Sequence, residues 1–358
     1  MNKPYRILAI NTGSTSTKIS VFDDEKELFA ESIKHSKEEM ESFDTIYDQF
    51  EFRKDIVLDV LVEKNIDLAT LDAVAGRGGN MKPVAGGTYL VNDAMLNDLK
   101  IGVMGQHASN LGGIVAHSIA NPLNIKSYVV DPVVVDEMEE LARLSGIPEI
   151  SRKSKDHPLN QKATARMAAK DLGSTYGEMN FIVAHMGGGV SVGAHKRGKI
   201  VDVNNCLDGD GPYAPDRAGG VPVGSLIDMC FSGEYTKDQI RKKLVGGGGL
   251  IAYLGTNNGR EVSEKVRAGD ERARLIFEGM AYQISKEIAS CSAVLKGDVD
   301  AILLTGGLAY DEMLVGWIKE RVEFIAKVMV YPGEQEMIAL AQGVLRVVNG
   351  DEEVKEYR

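Results

Sequence analysis

The chain has 358 residues, 44% hydrophobic and 26% charged, with a formal net charge of -11. That length predicts about two domains and that balance a globular protein, while the acidic surface argues against nucleic acid or an anionic membrane as partner. Three widely separated cysteines, Cys206, Cys230 and Cys291, make no CxxC pair and no metal-ligand spacing, and no apolar run nears the roughly 20 residues of a membrane helix or forms a signal peptide, so a reduced cytoplasmic protein is expected.

The chain opens on a buried-strand pattern, Ile7 to Ile10, then Asn11-Thr12-Gly13-Ser14-Thr15-Ser16-Thr17-Lys18, then an alternating strand with Ile19 and Val21 on one face. One glycine, several hydroxyls and a lysine gathered in a turn offer N–H, O–H and ammonium donors to a phosphate. A Walker loop is excluded, because there is no second glycine before Lys18 and no helix after it. An ordinary Ser/Thr-rich hairpin remains open on these residues alone.

Ser36 to Asn65 is charged and helix-patterned, with Ser36 as N-cap. Leu71 to Ala75 is a short strand ending in Gly76-Arg77-Gly78-Gly79, where the flanking glycines leave room for a ligand at Arg77. Asn92 to Lys100 and Ser109 to Ala120 are predicted helices, with His107 and Asn110 near their connection. Ser127 to Val130 is a strand that delivers Asp131 at its carboxyl end, where open α/β sheets bind ligands. Asp136 to Ser145 is a predicted helix, the polar, basic Gly146 to His157 a predicted link between domains, and Asn160 to Leu172 an Ala-rich helix.

The opening pattern then recurs. Phe181 to Ala184 is a buried strand followed by His185-Met186-Gly187-Gly188-Gly189, and a further strand follows at Ile200 to Val203. Two strand–turn–strand units at the heads of two half-chains point to a duplication. Asp208 to Pro222 is a long loop around Arg217, of the kind that is often functional. Gly246 to Gly249 precedes Asn258 and Arg260. Arg272 to Lys296 is a packing helix, Asp300 to Thr305 a strand opening onto Gly306-Gly307 before a helix at Asp311 to Ala326, Val328 to Tyr331 a strand, and Glu336 to Val348 a helix. The charged tail beyond it is expected to fray.

Taken together, Asn11 to Lys18, Arg77-Gly78-Gly79, Asp131, His185 to Gly189, Asp216-Arg217, Thr305 to Gly307 and Glu336 span nearly the whole chain. In this order they resemble the acetate and butyrate kinase family of the actin/Hsp70/hexokinase superfamily, with a length and motif wording similar to its butyrate branch. The resemblance implies two related ribonuclease-H-like α/β domains, an actin-like ATPase duplication with an interdomain cleft. Residues 1–145 with 336–358 would form the acyl- and phosphate-binding domain, and 146–335 the nucleotide-binding domain.

It also implies roles. Asn11, Ser14, Ser16 and Lys18 would line the phosphate and metal side. Arg77 would hold the carboxylate or acyl phosphate, with Gly79, His107 and His157 on the substrate side. Arg217 would stabilise the phosphoryl group in flight. His185 and Gly187, Gly188 and Gly189 would hold the nucleotide phosphates. Gly306 and Gly307, helped by Asn258 and Arg260, would face the adenosine, and Asp131 and Glu336 would serve Mg²⁺ through water.

The implied reaction is reversible transfer between ATP and a short or branched carboxylate, giving ADP and an acyl phosphate, by a homodimer or larger homo-oligomer. Two departures stand out. His157 lies near, without matching the register of, the histidine that acetate members carry in Gly-Phe-His-Gly. Gly79 stands where they carry a bulky apolar residue, which would leave room for a longer acyl chain.

A carboxylate is already ionised at pH 7, so this chemistry needs alignment and positive charge and no strong base. A hydroxyl kinase of the same fold would need a base, for which Asp131 is the candidate. A nucleotide-driven clamp would leave Arg77 and Arg217 without a task.

Overall fold

The computed structural model describes residues 3–358. The chain divides into two compact units, one running from the N-terminus through Asp136 and joined by Gln335–Arg358, the other Glu137–Glu334. The strands of the first unit are β1 (Arg6–Thr12), β2 (Ser16–Asp23), β3 (Lys26–Lys34), β4 (Ala73–Arg77), β5 (Thr88–Leu90) and β6 (Lys126–Val130). Those of the second are β7 (Asn180–Met186), β8 (Val190–Lys196), β9 (Lys199–Val203), β10 (Ala301–Gly306) and β11 (Val328–Pro332). The chain then returns to the first unit with β12 (Lys355–Glu356).

The duplication is visible in the strand orders, β12-β5-β6-β4-β1-β2-β3 and β11-β10-β7-β8-β9. In each unit the leading strand pairs antiparallel with the next, that one antiparallel with the third, and the leading strand parallel with a later one on its other side. Thus β3-β2-β1-β4-β6 and β9-β8-β7-β10-β11 repeat one ribonuclease-H-like topology. The leading strands lie inside their sheets, β1 between β4 and β2 and β7 between β10 and β8, and Ile7 to Ile10 and Phe181 to Ala184 are wholly buried. That explains their unbroken apolar runs, since a central strand covered on both faces has no polar side.

Helix packing fixes the strand end that carries Arg77. A Cβ on Gly76 would lie 2.2 Å from Gly112 O, and one on Gly112 would lie 2.3 Å from Arg77 O. The helix Asn110–Ala120 therefore touches the β4 backbone directly through this glycine pair.

Several expectations need correcting. Asp136 to Ser145 is not an α-helix; it holds one 3₁₀ turn, Glu140–Arg143. The Asp136 N–H is taken by Val84 O and the Glu139 N–H by Val201 O, which draws the backbone out of helical pairing. Ser36 does cap a helix through a capping box, but only Lys37–Glu41. The longer helix, Phe50–Glu63, starts after a break.

The charged tail does not fray. β12 pairs with β5, and Tyr357 is 2% exposed. Its hydroxyl donates to Asp98 Oδ2 at 2.8 Å and accepts the Lys82 N–H at 2.9 Å. Edge strand β3 leaves the charged Lys26, Glu27 and Lys34 exposed, a charge pattern that hides a strand from sequence and suits an edge.

Candidate active site

In the first unit the β1–β2 turn is closed by the Gly13 N–H donating to Ser16 O at 2.8 Å. Asn11 and Lys18 sit opposite each other in the β1–β2 ladder, on one face. Beneath the turn lies Arg53, wholly buried. Its guanidinium donates to Ser16 O at 3.1 Å, to Thr17 Oγ1 at 3.0 Å, and twice to Gln49 Oε1. No carboxylate is among its partners, and burial pulls its pKa down to about 10. A buried cation without an anion is costly and raises the potential around it.

Arg77 leaves the end of β4 beside this turn. Its Nη1 donates to Glu336 Oε2 at 3.2 Å and to Asn11 Oδ1 at 3.3 Å, and Asn11 Nδ2 donates to the same Glu336 oxygen at 2.5 Å. The Arg77 Nε is buried with no hydrogen-bond partner. Such a donor costs about 1–3 kcal/mol unless a ligand meets it.

His107 stands nearby, with Nε2 3.4 Å from Ser14 Oγ. The Ser109 N–H donates to its Nδ1, so Nδ1 is the acceptor and Nε2 carries the proton. Burial first, then the charges of Arg77 and Arg53, hold its pKa below the usual imidazole value, so His107 acts as a neutral donor.

Two predicted residues are differently engaged. Asp131 has φ 37°, and its Oδ1 accepts the Gly87 N–H at 2.7 Å while its own N–H donates to Gly87 O. That oxygen is spent on backbone. The space beside Gly79 is not open: a Cβ there would lie 2.4 Å from Asn110 Cα and Oδ1. The missing side chain makes room for Asn110, so the expectation that it admits a longer acyl chain is corrected.

In the second unit the Gly187–Gly189 turn joins β7 to β8, closed by the Gly187 N–H donating to Gly189 O at 2.9 Å. Arg217 lies against Gly189, where a Cβ would stand 2.0 Å from Nη1. Nη1 donates to Cys206 O at 3.0 Å and to its Sγ at 3.3 Å. Burial pushes the Cys206 thiol up to about 11, so it stays neutral beside the arginine. Arg217 Nε and Asp216 Oδ1 are 3.5 Å apart, and neither makes a hydrogen bond. The glycine run beginning at Gly246 supports this loop: a Cβ on Gly249 would lie 1.7 Å from Ala214 O and 2.7 Å from Arg217 O.

His157 caps the helix Pro158–Asp171, and its ring stacks on His185 with centroids 4.0 Å apart. His185 Nδ1 is 2.7 Å from Asn160 Oδ1, an oxygen that can only accept, so His185 donates. At the end of β10, Gly306 has φ 91° and abuts the start of the glycine turn, since a Cβ would lie 2.5 Å from Met186 O. Gly307 has open space around it. Asn258 caps the next helix by accepting the Arg260 N–H at 3.1 Å, and Gly259 packs on Leu308. The Arg260 side chain is 88% exposed and turns to Glu264.

A model of the acetokinase family matches residues 149–326. A protein described as "probable butyrate kinase" from Clostridium botulinum (strain Alaska E43) is 59% identical over 353 residues, covering 99% of each chain. Butyrate kinase 2 of Clostridium acetobutylicum is 56% identical, again over 99% of each. This chain belongs to the acetokinase family. The acetate kinase of Porphyromonas gingivalis, 18% identical, superposes with a TM-score of 0.80 over 95% of this chain and 99% of that one. The fold is therefore the actin-like ATPase fold.

As an acetokinase-family member the chain is a phosphotransferase with a carboxyl group as acceptor, and such a kinase uses ATP. The donor set fits a nucleotide: each unit holds a glycine-bearing turn and one arginine with a buried, unmet Nε. It also fits Mg²⁺. Among the described residues no group of three or more His, Cys, Asp and Glu could hold a metal. Mg²⁺ keeps waters and takes one or two carboxylates plus phosphate oxygens, and Glu336, 7% exposed, is such a carboxylate.

Sequence reading passed over Arg53, Asn160, Gln161, Ser191 and Cys206. A signal existed for two of them: Asn160-Gln161 is a polar pair in an Ala-rich helix, and both side chains are wholly buried.

Proposed function

We propose that this kinase transfers the γ-phosphoryl group of ATP, reversibly, to butyrate or a similar short or branched fatty acid. The observation that carries the reading is the 59% identity over 99% of both chains to a protein described as a butyrate kinase. A carboxylate oxygen bonds to the γ-phosphorus as the bond from phosphorus to the β,γ-bridging oxygen breaks, so ADP leaves and no proton is transferred. Glu336 would help to hold Mg²⁺, which would supply charge neutralisation at the phosphates.

The chain's own residues do the rest. Arg77, braced by Glu336 and Asn11, takes the acid through its unmet Nε. His107 and Ser14 donate neutral hydrogen bonds near it, and the buried charge of Arg53 favours an anion there. Arg217, seated on Gly189, meets the moving phosphoryl group, whose charge develops on its peripheral oxygens. Gly306 and Gly307 hold the adenosine side. The hydroxyl-kinase alternative loses support because one oxygen of its base, Asp131, is tied to Gly87.

With Gly79 filled by Asn110, nothing at that position selects chain length. One methylene discriminates by about 1–3 kcal/mol, so neighbouring acids should be accepted at graded rates. A homo-oligomer is supported by the helix Val223–Phe231, which has no buried residue and leaves Val223, Ile227 and Phe231 exposed. Three free thiols suit a reducing cytoplasm.

The test is hydroxamate trapping of acyl phosphate from ATP, Mg²⁺ and straight or branched acids of two to six carbons. Hydroxamate peaking near four carbons is expected, and none with any acid would sink the reading.

A further inference from the structure

His157 ends a line of buried hydrogen bonds that starts at Tyr176 and runs along one face of β8. Tyr176 Oη is 2.8 Å from His195 Nδ1, and His195 Nε2 is 2.8 Å from Gln161 Oε1. Gln161 Nε2 donates to Ser191 Oγ at 2.8 Å, and Ser191 Oγ is 2.8 Å from His157 Nδ1. His195, Gln161 and Ser191 are wholly buried, so bulk water does not scramble the directions.

Donor and acceptor rules orient the line. The Gln161 oxygen can only accept, so His195 donates from Nε2, which leaves its Nδ1 to accept the tyrosine O–H. Lys162 and Arg166 lie over the Tyr176 ring, each 5.6 Å from its centre, and cations there make the phenol a better donor. The Gln161 amide group fills one acceptor site of Ser191. The serine proton then has His157 Nδ1 as its remaining acceptor.

We propose that Tyr176, His195, Gln161 and Ser191 form a one-way relay that holds His157 as the neutral Nε2–H tautomer, presenting that N–H to a phosphate oxygen, with Gln161 as the positioning residue that sets the direction. The Nδ1 edge faces wholly buried Ser191, so the Nε2 edge is the outward one of this half-buried ring. His185, stacked on it, is set oppositely by Asn160, which takes its Nδ1–H. The pair thus offers two differently oriented imidazoles from one stack. A fixed tautomer removes the reorganisation that a ring free to exchange protons would pay at each turnover. The inference rests on His157 belonging to the phosphoryl site.

The test uses full-length protein labelled with ¹⁵N-histidine, whose ring nitrogen shifts separate the tautomers. Wild-type His157 is expected as Nε2–H. Gln161→Glu, read at pH 8, replaces the donor with a carboxylate that only accepts. The Ser191 hydroxyl then turns to it, and His157 must donate from Nδ1. Turnover should fall about 100-fold, the scale of losing one oriented hydrogen-bond donor at the transition state, with KM for ATP moving less than about threefold.

Should that variant fail to fold, Gln161→Met is expected to mix the two tautomers. A wild-type Nδ1–H tautomer overturns the proposal. So does a Gln161→Glu protein that loses turnover with His157 unchanged, or one whose tautomer switches at full turnover. Hydroxamate formation by the wild type, run on the same samples, separates failure of the relay from failure of the carboxylate-kinase reading.

Discussion

Arg77 and Asn11 share one oxygen of Glu336, at 3.2 and 2.5 Å, although Glu336 lies 259 and 325 residues further along the chain. The last long helix therefore begins with the residue that braces the arginine of β4. Glu336→Gln keeps the shape and removes the charge that holds Arg77. We expect kcat/KM for the acid to fall about 10- to 100-fold, or roughly 1.4–2.7 kcal/mol. Steady-state kinetics against acid and ATP check this, and an unchanged kcat/KM for the acid refutes it.

Gly189 is a glycine because Arg217 occupies the place of its side chain, 2.0 Å from where a Cβ would sit. The clash is with a movable guanidinium, so Gly189→Ala should fold and displace Arg217 from Cys206 O. Turnover should drop about 100-fold, the scale for losing one transition-state donor, while ATP binding by calorimetry stays within a few-fold. Arg217→Ala should give the same pattern. A Gly189→Ala enzyme with normal turnover would remove Arg217 from the phosphoryl group.

How far the sequence carried these conclusions depends on local pattern. The two leading strands were legible because a central strand is apolar throughout, and the duplication followed from their two polar turns. Arg77 and Arg217 stood out as cations amid glycine. Gly79 misled, because an absent side chain says nothing about what fills the space, and only the fold brings Asn110 there. The strand-end position of Asp131 was legible, whereas its bond to Gly87 was not, because it joins residues 44 apart in sequence. The docked tail was illegible because Tyr357 gains its partners, Asp98 and Lys82, only through long-range pairing.

Arg53 is a buried guanidinium held by Ser16, Thr17 and Gln49 with no carboxylate on it. Its charge also depresses His107. Arg53→Met removes a cation, so the His107 pKa should move up toward its ordinary value. KM for acyl phosphate should rise about tenfold, and Arg53→Lys should restore part of it. Proton NMR titration of His107 gives the check, and an unmoved His107 means that Arg53 serves the turn by packing alone.

Asp156 supplies a pH dependence of stability. It is buried, Ser154 donates to its Oδ1 at 3.1 Å, and Oδ2 has no hydrogen-bond partner. Burial raises its pKa from 3.8 to about 7, with Ser154 and Lys162 opposing the rise. The sign follows from the folded value lying above the unfolded one. The protonated carboxyl suits the folded state, so this stability is complete below about pH 4. It is lost as pH climbs to about 7, up to roughly 4 kcal/mol in all. Asp156→Asn holds the neutral form at every pH. Its Tm should exceed that of the wild type by several degrees at pH 8, and the gap should close by pH 4. Equal gaps at both values would show that Asp156 stays ionised in the folded protein, held by Lys162.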